Sequence, residues 1–109
     1  MVTSATQVEI GGYQFLCVRL SQADFSDISV VYVILCVQPN GDWIVLDVGE
    51  SGEVGTRIGE HDREECWRRN CRSDNIWVCV YPMRGRSREE RLAVEAELRQ
   101  RYRPHCGTR

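Results

Sequence analysis

Lysine is absent from this chain: all 14 basic residues are arginine, set against 16 acidic ones for a net charge of −2. A balance so close to neutral does not by itself mark a nucleic-acid binder. A hydrophobic run of bilayer length is also missing. The longest, Ile28 to Val37, is broken only by Ser29 and reaches half of the about 20 residues a membrane helix needs, so it reads as a buried strand and no membrane association is expected. No charged segment followed by an apolar one opens the chain, which predicts a cytoplasmic protein that is not exported. There is no Cys-x-x-Cys pair among Cys17, Cys36, Cys66, Cys71, Cys79 and Cys106. In a reducing compartment these read as free thiols, buried or at the surface. His61, Cys66 and Cys71 are spaced by five and His105 adjoins Cys106, so a zinc site can be drawn, on spacings that fit no standard ligand pattern. Repeats and linkers are lacking as well.

What is present is one domain of ordinary globular composition, 109 residues with 42% hydrophobic and 28% charged. Its charge is unevenly spread. Residues 1–56 hold one arginine against seven acids, a net of −6, and residues 57–109 hold thirteen arginines against nine acids, a net of +4. Such asymmetry suggests one cationic face, and the planar fork of arginine suits phosphate. Arg68, Arg69, Arg72, Arg84, Arg86 and Arg88 are the candidates for phosphate contact.

Along the chain, Met1 to Gln7 is small and polar and reads as frayed. Gly11-Gly12 precede a strand-rich segment, Tyr13 to Leu20. After a polar loop holding Asp24 and Asp27, Val30 to Gln38 is the most β-branched stretch. Pro39-Asn40-Gly41-Asp42 is a hairpin turn signal, so Trp43 to Val48 is its antiparallel partner. Ser51 is placed to cap a helix beginning near Glu53. Val54, Arg57, Ile58, His61 and Glu65 share one face at helical spacing, with a break expected near Asp62 because Gly55 and Gly59 weaken the helix. Ile76 to Met83 reads as a third central strand, and Glu89 to Tyr102 is the clearest helix, stopped by Pro104. The expectation is an α+β domain: a small, mainly antiparallel three-stranded sheet, extended if the N-terminal strand joins it, and flanked by helices.

In the last helix, Leu92, Ala96, Leu98 and Tyr102 define an arc that must face the sheet, and Glu95 lies inside it. A carboxylate aimed into an apolar face must be paired, with Arg57 or Arg99 for example, or must bind a hard cation such as Mg²⁺. Tyr32, on the central strand, and the Arg57/His61 pair are the groups that can meet it.

At these residues the chain resembles the GIY-YIG nuclease superfamily. Val30-Val31-Tyr32 stands for the first motif and Asp47-Val48-Gly49 for the second. Arg57 follows eight residues after Gly49, His61 one turn later, and Glu95 sits in the final helix ahead of Tyr102-Arg103-Pro104. The likeness covers about residues 29–107 and leaves 1–28 as an N-terminal extension. It implies a single-metal DNA phosphodiesterase: Tyr32 as general base or water-orienting group, Arg57 on the phosphate charge, His61 assisting Tyr32 or touching phosphate, and Glu95 holding one Mg²⁺ or Mn²⁺. The chain departs from the pattern at Val30, where glycine is usual, and beyond Pro104, where the closing asparagine is missing. It also has Asp47 in place of a tyrosine. Asp47 then adds a metal contact, replaces the phenol's hydrogen bond, or marks an altered enzyme. The resemblance implies a metal-dependent endonuclease, with specificity drawn from a homodimer or a partner protein. The alternative is an inactive or altered module that keeps the fold and binds nucleic acid or a protein.

Overall fold

The computed structural model describes residues 5–59 and 61–107. Its elements in chain order are β1 (Thr6–Ile10), β2 (Tyr13–Arg19), a 3-10 turn (Leu20–Gln22), β3 (Val30–Val37), β4 (Trp43–Ser51), α1 (Val54–Gly59), α2 (Glu64–Arg69), β5 (Ile76–Pro82) and α3 (Arg88–Tyr102). The α+β class is as expected. The sheet has five strands rather than three, in the order β1-β2-β5-β3-β4, and every pairing is antiparallel. Thr6 and Gln7, expected to fray, belong to the edge strand β1; residues 1–4 of that segment lie outside the described ones. Gly11 and Gly12, both at positive φ, turn β1 into β2.

The expected hairpin forms: Gln38 N–H donates to Asp42 O at 2.7 Å, and Gly41 takes φ +92°. β3 lies between β4 and β5 and is buried on both faces, which is what its unbroken apolar sequence requires. Its even positions, Val30, Tyr32, Ile34 and Cys36, pack with Val54, Ile58 and Trp67 of α1 and α2. The odd positions, Val31, Val33 and Leu35, pack with Ile10, Phe15, Val48 and Leu98 on the other face, where α3 lies.

One irregularity positions the later chemistry. The β3–β4 register slips between Ile34 and Leu35: Ile34 pairs with Asp47 but Leu35 with Val45, leaving Leu46 as an extra residue. Such a bulge re-aims side chains. Leu46 joins the core on the α1/α2 side, and Asp47, next in sequence, also reaches Trp67 on that side.

Helix α3 starts at a capping box. Ser87 Oγ accepts from Glu90 N–H at 3.2 Å, and the Glu90 carboxylate accepts from Ser87 N–H at 3.1 Å. Such a cap contributes about 1 kcal/mol. The buried face of α3 is Arg91, Glu95 and Leu98, with Val94 and Tyr102 half-buried. The expected arc is therefore rotated: Ala96 is exposed, whereas Glu95 is inward as expected. The rotation follows from a second inward polar residue, Arg91, which pairs with Glu50 of β4 at 3.0 Å.

The cysteines are not thiols. Cys17–Cys79, Cys36–Cys71 and Cys66–Cys106 are disulfides, which corrects the expectation of reduced cysteines and leaves no thiolate for zinc. Cys17 and Cys79 face each other directly across β2 and β5. Cys66–Cys106 ties α2 to the C-terminal segment, whose Cys106 N–H donates to Leu46 O at 2.9 Å and so covers the outer edge of β4. Among the described residues, no helix is long and apolar enough to cross a membrane.

Candidate active site

Tyr32 is the centre of the site. Its register partner is Gly49, and the phenol lies across that glycine. A Cβ at position 49 would fall 2.3 Å from Tyr32 Oη, so only glycine admits the ring there. The glycine at position 49 is thus required by the tyrosine at position 32.

Tyr32 Oη lies 2.6 Å from His61 Nε2. His61 is not on the helix that carries Arg57, contrary to the spacing argument. Helix α1 ends at Gly59, and His61 sits in the connection to α2. There its Nδ1 accepts the backbone N–H of Arg63 at 3.1 Å, and its ring lies between Tyr32 and Trp67, with centroids 5.6 and 4.4 Å away. Arg57 arrives from α1 and sets its positive charge beside Tyr32 and His61. Helix α1 is seated by a residue that sequence reasoning left in a loop. Asp27 accepts both the backbone N–H and the hydroxyl of Thr56, at 2.7 and 2.8 Å. Gly55 lies against the backbone of Phe25, where a Cβ would come within 2.2 Å of the carbonyl oxygen. Only the acid type and a following glycine-threonine pair hinted at this seat.

These contacts shape the proton chemistry. Burial pushes the Tyr32 phenol above its ordinary value, while the neighbouring Arg57 guanidinium pulls the other way. Burial, then the charges of Arg57 and Arg63, push the His61 imidazole down to about 4, against the opposing pull of Asp47 and Asp62. His61 is therefore neutral at physiological pH. Tyr32 is 1% exposed and His61 7%. Arg57 is half-buried and lines a shallow polar cleft of about 280 Å³ with Ser51, Glu53 and Thr56. It is the member of the group that meets solvent.

Asp47 is adjacent but committed elsewhere. It is fully buried; Oδ2 accepts from Arg63 Nε at 2.7 Å and from Trp67 Nε1 at 2.8 Å, and Oδ1 accepts from Arg99 Nη2 at 2.8 Å. Arg99 also donates to the Val48, Cys106 and Gly107 carbonyls. Both helical layers thus meet at the edge strand through one carboxylate. Sequence reasoning had not placed Arg63, Trp67 or Arg99 there. Glu95 is buried, has a partner within the chain, and lies one turn before Arg99 on α3, where it lines a cleft with Leu92, Ala96, Arg99 and Gln100.

The expected cationic face is divided. Arg84, Arg86 and Arg88 follow β5 at the end of the sheet where Val30 and Ser51 lie, the Tyr32 end. Arg68, Arg69 and Arg72 flank Cys71, which is tied to Cys36 at the far end of β3. Most of them pair with acids: Arg68 with Glu64 at 3.0 Å, Arg69 with Glu65 at 3.7 Å, Arg86 with Glu90 at 2.6 Å and Arg88 with Glu50 at 3.2 Å. Arg84 is exposed and makes no ion pair among the described residues.

A divalent ion is implied by the family resemblance. Among the described residues no group of three or more acidic, histidine or cysteine side chains is placed to hold a metal. A Mg²⁺ site that uses one carboxylate, waters and substrate phosphate oxygens does not need such a group. Neither carboxylate stands open for that role: Asp47 is bonded on both oxygens, and Glu95 is buried, has a partner within the chain and is carried by α3, which packs on the sheet face away from α1, α2 and the Tyr32 side chain. Compared with known proteins, the chain matches no protein-family model, no curated protein and no solved structure.

Proposed function

We propose that this chain is a GIY-YIG-type endonuclease domain that hydrolyses DNA phosphodiester bonds. What supports the reading is the 2.6 Å approach of His61 Nε2 to the hydroxyl of Tyr32 as it lies across Gly49, with the charge of Arg57 beside them. Phosphodiester cleavage needs a positioned proton donor or acceptor, a cation on the developing phosphate charge, and protection from bulk water. Tyr32, Arg57 and the surrounding apolar core supply these. Glu95 is the residue that the family resemblance assigns to one Mg²⁺ or Mn²⁺, an ion that would supply Lewis-acid activation of the phosphate. Arg84, Arg86 and Arg88, at the Tyr32 end, are the side chains for the DNA backbone, and their contribution falls with salt. The three disulfides suit an oxidising compartment better than the cytosol.

The test is nicking of supercoiled plasmid with Mg²⁺ or Mn²⁺, comparing wild type with Glu95→Ala and Tyr32→Phe. Wild-type cleavage no faster than the Glu95→Ala background, across metals and salt, sinks the enzyme reading. One observation favours the second reading, a non-catalytic binding module: Tyr32 is 1% exposed, so its hydroxyl is closed to a substrate without local opening. DNA binding without nicking would select it.

A further inference from the structure

The hydrogen bonds around His61 determine which of its nitrogens carries the proton. The backbone N–H of Arg63 points at Nδ1. A backbone N–H can only donate, so Nδ1 offers its lone pair and carries no hydrogen. A neutral imidazole has one N–H, and here it must be on Nε2. That atom is the one 2.6 Å from Tyr32 Oη, so His61 donates and the phenol oxygen accepts.

The rival arrangement would put the proton on Nδ1, facing Asp62. That contact is 3.6 Å, longer than a hydrogen bond, Asp62 is 80% exposed, and the Nδ1 lone pair is already used by Arg63. A doubly protonated ring is opposed by burial and by the two guanidiniums of Arg57 and Arg63, and Asp47 offsets these only in part. With His61 Nε2–H donating to that oxygen, the hydroxyl hydrogen is not used on His61 and points to another partner.

We infer that His61 is a positioning residue, locked by the Arg63 backbone as the Nε2–H tautomer, and that Tyr32, once local opening admits a substrate, presents to it its own proton and not a lone pair. The role, though not the tautomer, rests on the nuclease reading. It reverses the expectation that Tyr32 is a general base helped by His61. In the step that follows, a water oxygen bonds to phosphorus and the bond to the leaving alcohol oxygen breaks. That oxygen takes the Tyr32 proton, and the attacking water gives its proton to bulk solvent. The phenolate left behind has the His61 Nε2–H as a donor and the Arg57 charge beside it, and regains a proton from solvent.

The tautomer is read directly by long-range ¹H–¹⁵N correlation on the wild-type chain at neutral pH. The chain has two histidines, so a Tyr32→Phe spectrum suffices to tell His61 from His105. A protonated Nε2 and a bare Nδ1 are expected; a protonated Nδ1 overturns the inference. The role is read by nicking with His61→Gln and His61→Ala. Glutamine keeps an N–H donor near the place of Nε2 but cannot act as a base. His61→Gln should retain at least about tenfold more activity than His61→Ala, which loses on the order of a hundredfold, and should keep the wild-type pH profile. Equal loss in both variants, with the acid limb of the profile gone, makes His61 the base and overturns the role. Wild type that does not nick at all sinks the nuclease reading and the role with it, while the NMR measurement still decides the tautomer.

Discussion

Replacing Asp47 with alanine tests how the two helical layers are joined. The substitution removes three hydrogen bonds, from Arg63, Trp67 and Arg99, and leaves two guanidiniums facing a space without charge. Removing one partner of a buried ion pair costs about 3–5 kcal/mol, because the remaining charge stays desolvated. The Arg99 side chain is 10% exposed and meets that condition, whereas Arg63 at 28% can turn partly to water. The expected loss is therefore at the low end, about 3 kcal/mol, a large share of the 5–15 kcal/mol typical of a domain. The assay is urea denaturation followed by near-UV circular dichroism, reading a lower midpoint with an unchanged slope. Asp47→Asn should recover only part of the loss, since its amide nitrogen must face an arginine. The decisive comparison is with cleavage. A scaffold residue loses stability in proportion to its broken bonds, whereas a metal ligand or base loses activity with stability kept. A loss under about 1 kcal/mol for Asp47→Ala, with nicking abolished, would refute the scaffold reasoning.

Three further outcomes are expected. Cys66→Ser with Cys106→Ser opens a loop spanning 40 residues, and chain entropy puts the loss of unfolding free energy at about 4 kcal/mol; a change under about 1 kcal/mol would contradict the link's role. Gly49→Ala drives a Cβ to 2.3 Å from Tyr32 Oη, so denaturation should show a loss of about 1–3 kcal/mol, and wild-type stability would mean that the phenol does not lie on that glycine. His61 titrates near 6.5 when unfolded and at about 4 when folded, so its contribution is complete above the higher value and is lost as pH falls toward the lower. That amounts to about 3 kcal/mol, and His61→Gln should flatten the stability profile over that window.

How much of this was legible in the sequence depends on the range of the contact responsible. The Asn40-Gly41 turn and the β-branched run of β3 are local, and each element formed where its own residues placed it. The inward Glu95 also follows from helical period alone. β1 did not read as a strand because Thr6, Gln7 and Glu9 are exposed on an edge, and their polarity imitates a frayed end. The disulfides were illegible for a different reason. Their partners lie 62, 35 and 40 residues apart, and Cys17 meets Cys79 only because β2 pairs with β5, a fact of sheet order. His61 left its helix because Gly59 ended it, after which Nδ1 captured the Arg63 N–H and turned the ring toward Tyr32.

Asp47 joins these two kinds of information. Taken along the sequence, it is a carboxylate where the resembling family has a phenol, and the natural suspicion is a damaged site. In space, the β4 bulge turns it toward Trp67, and two arginines, one just before α2 and one on α3, neutralise it. A buried carboxylate without such partners would be costly; with them it binds α2, β4, α3 and, through Arg99, the carbonyls of the C-terminal segment. Arg63 contributes twice, its side chain to Asp47 and its backbone N–H to His61 Nδ1. Asp47 is therefore a structural tie: it fixes Arg63, whose backbone N–H holds His61 by Nδ1 and so keeps Nε2 against Tyr32.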